Sequence, residues 1–209
     1  MSAIEKIASF QNRHDEVPNQ ELARELAQSQ DRQGLQEIAD GLKSKNKDVQ
    51  ADCLKVLYEV GYLRPELVAG YAQNFLDLLK SKNNRLVWGA MIALANIADV
   101  NPETVEGAVA DIQHSMENGS VITVDNGVKI LAILAAKSAE RSKAIFPYLI
   151  KHLNTCRPKD IPQHAEKILL AVNADNKKEF IAVLEKRMEQ MSAPQMSRAK
   201  KIIRAAEKR

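Results

Sequence analysis

The feature that most constrains this chain is an internal repeat with an offset of 37 residues. Lys43-Ser44-Lys45-Asn46 returns as Lys80-Ser81-Lys82-Asn83. The same shift carries Pro65-Glu66 onto Pro102-Glu103 and Val68-Ala69-Gly70 onto Val105-Glu106-Gly107. It also places Val60, Ile97, Leu134 and Ala171 in one column. A period of this length means that one supersecondary unit is reused. Such a unit cannot bury its apolar face alone, so the core is made between neighbours.

Each unit reads as two helices. The second, as over 48–61, places Val49, Cys53, Val56, Leu57 and Val60 at i, i+4, i+7, i+8 and i+11, one apolar stripe of an amphipathic helix. The first, as over 65–80, opens with proline at N1, where its missing N–H costs nothing, and closes in a polar Lys/Ser/Asn loop. No alternating strand pattern occurs. Gly70 and Gly107, with Ala144 at the matching place, fall inside these first helices, which suggests close helix–helix approach. The fold class expected is all-α: an α-solenoid, a right-handed superhelix of stacked antiparallel helix pairs. Residues 1–209 form one domain, with repeats at about 28–64, 65–101, 102–138, 139–175 and a degenerate 176–209. Residues 1–27 form the N-terminal cap: a helix near 2–12, a turn at His14–Pro18, and a helix from Asn19.

Composition removes several classes. Apolar residues at 45% fill a core, and aromatics at 4% suit Leu/Ile/Val/Ala repeats better than an enzyme pocket. No stretch has the roughly 18 uncharged apolar residues of a membrane span, and the N-terminus lacks the apolar run of a signal peptide. Cys53 and Cys156, far apart and without metal-ligand spacing, read as reduced thiols of a cytoplasmic protein. No metal and no cofactor is expected. Residues 1–104 hold 12 Lys/Arg and 15 Asp/Glu, net −3, whereas 105–209 hold 18 and 12, net +6.

The segment Asn84-Arg85-Leu86-Val87-Trp88-Gly89-Ala90-Met91-Ile92-Ala93-Leu94-Ala95-Asn96-Ile97 as a second helix, and Pro147 inside a first helix, resemble HEAT or armadillo-type repeats over nearly the whole chain. The period lies at the short end, and the other units lack the mid-helix proline. Tetratricopeptide and ankyrin repeats, with periods of about 34 and 33, fit less well. The resemblance implies a curved scaffold whose second helices line a concave, ligand-facing surface, and it brings no catalytic residues.

Helical phasing sets positions 51, 55 and 58 opposite the core stripe, toward the concave solvent. Through the repeat these become three columns: Ala51, Trp88, Asp125, Pro162; Lys55, Ile92, Lys129, Glu166; and Tyr58, Ala95, Ala132, Leu169. Trp88, Ile92, Tyr58 and Arg85 are then the expected anchors for a protein partner, with Asp125, Asn126, Lys129, Gln163 and His164 as a polar surround. The alternative for Trp88 is packing between repeats as core. Asp125-Asn126-Gly127 are poor helix formers, and the plainer expectation is a helix that starts there, capped by Thr123 or Asp125. His164 stands in a column of small inward residues and reads first as a hydrogen-bonded structural residue. His14, His114 and His152 share no helix face.

No glycine-rich phosphate loop, G-x-S-x-G, H-E-x-x-H or C-x-x-C occurs, so the chain reads as non-enzymatic. HEAT-like DNA glycosylases pair an acid with aromatics, but the aromatic cluster that would cradle a base is missing here. The function expected is a scaffold or adaptor that binds an unidentified protein, with no membrane and no small-molecule cofactor. The alternative is nucleic-acid binding through Lys186, Arg187, Lys200, Lys201, Arg204 and Lys208 at the basic C-terminal end.

Overall fold

The computed structural model describes residues 2–209, and among them there is no strand. The helices are α1 (Val17–Ser29), α2 (Arg32–Gly41), α3 (Lys47–Leu63), α4 (Pro65–Val68), α5 (Ala72–Leu78), α6 (Asn84–Ile97), α7 (Pro102–Glu106), α8 (Val109–Asn118), α9 (Val121–Ala135), α10 (Ala139–Thr155), α11 (Ile161–Ile168), α12 (Lys177–Arg187) and α13 (Ala193–Glu207). Short 3-10 turns join several of them. No described helix is long and apolar enough to cross a membrane. The chain divides into two compact units, Met1–Gly127 and Val128–Arg209.

The repeated Lys-Ser-Lys-Asn tetrapeptide is a capping loop used twice. Ser44 Oγ accepts from the Asn46 N–H, and Asn46 Oδ1 accepts from the Asp48 N–H at the start of α3. Ser81 Oγ and Asn83 Oδ1 repeat both bonds at the start of α6. These side chains occupy orphan donors that the helix itself cannot satisfy. The stripe Val49, Cys53, Val56, Leu57 and Val60 of α3 is buried, and α3 packs against α1, α2, α4 and α6. Burying Leu57 or Leu94 fully contributes about 1.5–3 kcal/mol each.

The first helices of the second and third repeats are not single helices. α4 gives way to a 3-10 turn at Ala69–Tyr71 before α5, and α7 ends at Glu106 before α8. Gly70 lies in the first break, and a Cβ there would meet nothing within 4 Å. One at Gly107 would meet only local carbonyls at ordinary contact distance. The expected close helix approach at these glycines is therefore corrected: both mark breaks, where glycine's backbone freedom carries little cost.

Close approach belongs to Gly127 instead, whose Cβ would fall 2.4 Å from Met116 Cγ and 2.9 Å from Met91 Cε. Asp125-Asn126-Gly127 lies inside α9 rather than opening it, which corrects the expectation of a helix start there. The helix begins earlier, and Ser120 Oγ accepts from the Thr123 N–H. In contrast to α4 and α7, α10 runs unbroken for 17 residues with Pro147 within it.

The N-terminal cap forms two short 3-10 turns, Ile4–Lys6 and Ala8–Gln11, where a helix near 2–12 was expected. Asn12 ends them in the left-handed region, φ 53°. The segment is held by a buried polar network. Asp52 accepts from the Ser9 N–H and from Asn19 Nδ2, and Asn19 Oδ1 accepts from the Ala8 N–H. Within the same unit, Asn96 Nδ2 donates to Tyr58 O, tying one repeat to the next, and Asn101 Nδ2 donates to Ala69 O within the second repeat.

Candidate functional site

In the Met1–Gly127 unit, the surface around Trp88 is built from α3 and α6. Tyr58 is only 5% exposed and Ile92 only 8%, which corrects the expectation that both project into solvent. Ala51, Lys55 and Ala95 are buried with them. The reason is that both helices are surrounded: α1, α2, α4 and α6 pack against α3, and α3, α4 and α5 against α6. A face that is free in an isolated amphipathic helix is covered here.

What remains accessible is smaller. Trp88 is half-buried, with its ring 6.3 Å from that of Tyr58 and tilted by 54°. Tyr58 in turn meets Tyr62 edge-on at 6.1 Å, and Tyr62 is 55% exposed. An aromatic run therefore leads from the interior to solvent. Tyr62, one helical turn beyond Tyr58 (i, i+4), was legible as its neighbour but lay beyond the columns chosen from the repeat.

The aromatic run is edged by charge. Lys55 Nζ lies 2.8 Å from Glu16 Oε2 and 2.8 Å from Glu59 Oε1, and 4.9 Å from the Tyr58 ring centroid. Burial opposes the lysine charge, but the carboxylates and the Tyr58 hydroxyl outweigh it and raise the Lys55 pKa well above the usual lysine range. Arg85, exposed, reaches the same Glu16 at 3.8 Å. Burial raises the Tyr58 and Tyr62 phenols, so both stay neutral and remain hydrogen-bond donors.

The rest of the expected polar surround is dispersed. Asp125 and Asn126 are half-buried on α9, and Asn126 Nδ2 donates back to Ile122 O within that helix. Lys129, Gln163 and His164 belong to the Val128–Arg209 unit. Gln163 is exposed, but His164 is 3% exposed and faces an interior neighbour, which removes it from any surface for a partner.

That neighbour is His152: its Nε2 is 3.0 Å from His164 Nδ1, and the rings lie 4.9 Å apart. Cys156 completes the cluster, and the candidate ligand atoms of all three lie within 4.8 Å of one another. Burial, then the second imidazole, push His152 down to about 4, while burial pushes the Cys156 thiol up to about 11. The signal in the sequence was the i, i+4 pair His152 and Cys156 on one helix. It is missed when the cysteines are compared only with each other and His152 only with His14 and His114.

The basic C-terminal end also divides. Lys186, Lys200, Lys201, Arg204 and Lys208 are exposed. Arg187 is 6% exposed and is corrected from phosphate contact to structural anchor. Its guanidinium donates to Leu153 O at 2.9 Å and Cys156 O at 2.7 Å, capping the C-terminus of α10.

No protein-family model matches the sequence, and no curated protein matches it. Solved structures do match. A designed armadillo repeat protein in complex with the peptide (KR)4 superposes with a TM-score of 0.68 at 17% identity, over 98% of each chain. An engineered protein matches with a TM-score of 0.66 at 20% identity, over 100% of this chain and 98% of that one. A structure concerning the interaction between cadherin and beta-catenin matches with a TM-score of 0.64 at 17% identity, over 92% of this chain and 42% of that one. The fold is an armadillo/HEAT-like helical repeat.

Proposed function

We propose that this chain is a non-enzymatic scaffold that holds a segment of a protein partner against the second-helix surface at Trp88, the side that lines the concave face in a solenoid. The observation that carries the reading is the aromatic run itself. Trp88 leans on buried Tyr58, and Tyr62 stands mostly in solvent beside it. A half-covered tryptophan on a rigid helix is a ready anchor: it offers large apolar area, and little side-chain entropy remains to be lost on binding. Arg85 and the Glu16–Lys55–Glu59 group supply a polar rim. Relatives in fold, not in sequence, include one seen with a bound peptide, and this supports the general role.

The test is selection of peptides from a displayed random library on the purified chain, followed by affinity measurement on Trp88→Ala. Loss of a partner anchor costs about 2 kcal/mol, roughly 30-fold in Kd. The reading predicts enriched peptides that weaken by this factor while the helical signal and Tm hold. Peptides that bind wild type and Trp88→Ala equally would place the partner elsewhere.

A second reading rests on exposed Lys200, Lys201 and Arg204 of α13, with Lys208 just beyond its end and Lys186 on α12. If they neutralise phosphates, log affinity for a DNA duplex falls linearly with log salt, and Lys201→Glu with Arg204→Glu removes the slope. A salt-independent affinity would exclude this reading.

A further inference from the structure

We propose that His152, Cys156 and His164 form a binding site for a divalent transition metal of the zinc class, with water as fourth ligand. The last turns of α10 carry His152 and Cys156 at i, i+4, one above the other on a single helix face. The 3-10 turn Pro158–Asp160 reverses the chain, and α11 then brings His164 against them. The two imidazole nitrogens lie 3.0 Å apart, and all three candidate donor atoms fall within 4.8 Å of one another.

A tetrahedral zinc ion with bonds of about 2.0–2.1 Å to nitrogen and about 2.3 Å to sulfur requires separations of about 3.3 Å between nitrogens and about 3.6 Å from nitrogen to sulfur. The imidazoles stand close to that spacing already. Cys156 Sγ lies within 4.8 Å of both nitrogens and is now 3.7 Å from Leu153 O.

The donor chemistry selects the ion. Two imidazoles and one thiolate are borderline-to-soft ligands that favour zinc-class metals, and the set contains none of the oxygens that calcium and magnesium require. The frame is rigid on the buried side. The Arg187 guanidinium fixes the Leu153 and Cys156 carbonyls, and Asp160 is held by Arg157 at 2.6 Å. Solvent still reaches half-buried His152 and Cys156, which leaves a path for the ion and room for water. A plain imidazole–imidazole hydrogen bond would account for the histidine pair alone.

The test uses the full chain, stripped with a chelator under reducing conditions, and titrated with zinc and with cobalt(II). The expected result is one zinc per chain by elemental analysis after dialysis. Cobalt should give tetrahedral d–d bands with a thiolate-to-cobalt charge-transfer band. Cys156→Ser, which changes one atom, should remove that band, whereas Cys53→Ser should keep it. Because outer-shell partners alone are worth about 10–100-fold in metal affinity, loss of a ligand in Cys156→Ser or His152→Gln should weaken zinc by at least about 100-fold. Circular dichroism shows whether each variant retains its helices. Wild type that binds zinc no more tightly than the His152→Gln/Cys156→Ser double variant would overturn the proposal, as would a cobalt complex without the thiolate band.

Discussion

The two units bury polar chemistry in opposite ways. In Met1–Gly127, Lys55 keeps its charge in a largely buried position because Glu16 and Glu59 reach it at 2.8 Å each. In Val128–Arg209, the imidazole of His152 loses its proton on burial, and its acidic neighbour Asp160 is already paired with Arg157. The first arrangement holds a charge by paired charge, and the second holds a neutral imidazole beside a thiol. A related contrast runs through the first helices: those of the second and third repeats break at Gly70 and next to Gly107, whereas α10 is continuous and ends in the histidine–cysteine cluster. A repeat can thus keep its frame while each copy takes on different chemistry.

Four changes would break or sharpen this contrast. The largest effect is expected for Lys55→Glu, which places a carboxylate between two others in a buried position. A loss of about 3–5 kcal/mol in urea unfolding follows, whereas Lys55→Met should cost far less, since Glu16 and Glu59 can turn to solvent.

Next is the pH dependence of the metal-free second unit. His152 titrates near 6.5 when unfolded and near 4 when folded, so between those values the unfolded chain binds more protons. Stability therefore falls as pH drops from about 6.5 to about 4, by up to about 3 kcal/mol. His152→Gln should flatten that part of the curve. Arg187→Gln leaves the Leu153 and Cys156 carbonyls without their charged donor, and about 2 kcal/mol should be lost in denaturant unfolding. The smallest effect is a gain. Gly70→Ala fills open space in a helical turn, and restricting the unfolded chain should add about 0.4–1 kcal/mol to stability.

The architecture was largely legible in the residues. The offset between the two Lys-Ser-Lys-Asn loops reflects a capping geometry that both copies need, and the Val49–Val60 stripe is the face that both neighbours cover. The candidate surface was legible only in part. Phasing identifies which side of α3 and α6 opposes the stripe, but it cannot show how closely the helices pack around that side, and so it overstated the exposure of Tyr58 and Ile92. Gly127 inside α9 answers to the close approach of Met91 and Met116, a contact between helices that local propensity does not contain. The histidine–cysteine cluster needed the turn at Pro158–Asp160 to bring α11 back onto α10.

Trp88 is the only tryptophan in the chain, so its emission reports on the proposed surface alone. The most direct test is to titrate a selected peptide into the chain while following that emission beside calorimetric binding. The account predicts a saturable blue shift, as the half-buried indole loses its remaining water, with a midpoint equal to the calorimetric Kd. Calorimetric binding with an unchanged tryptophan spectrum would contradict it.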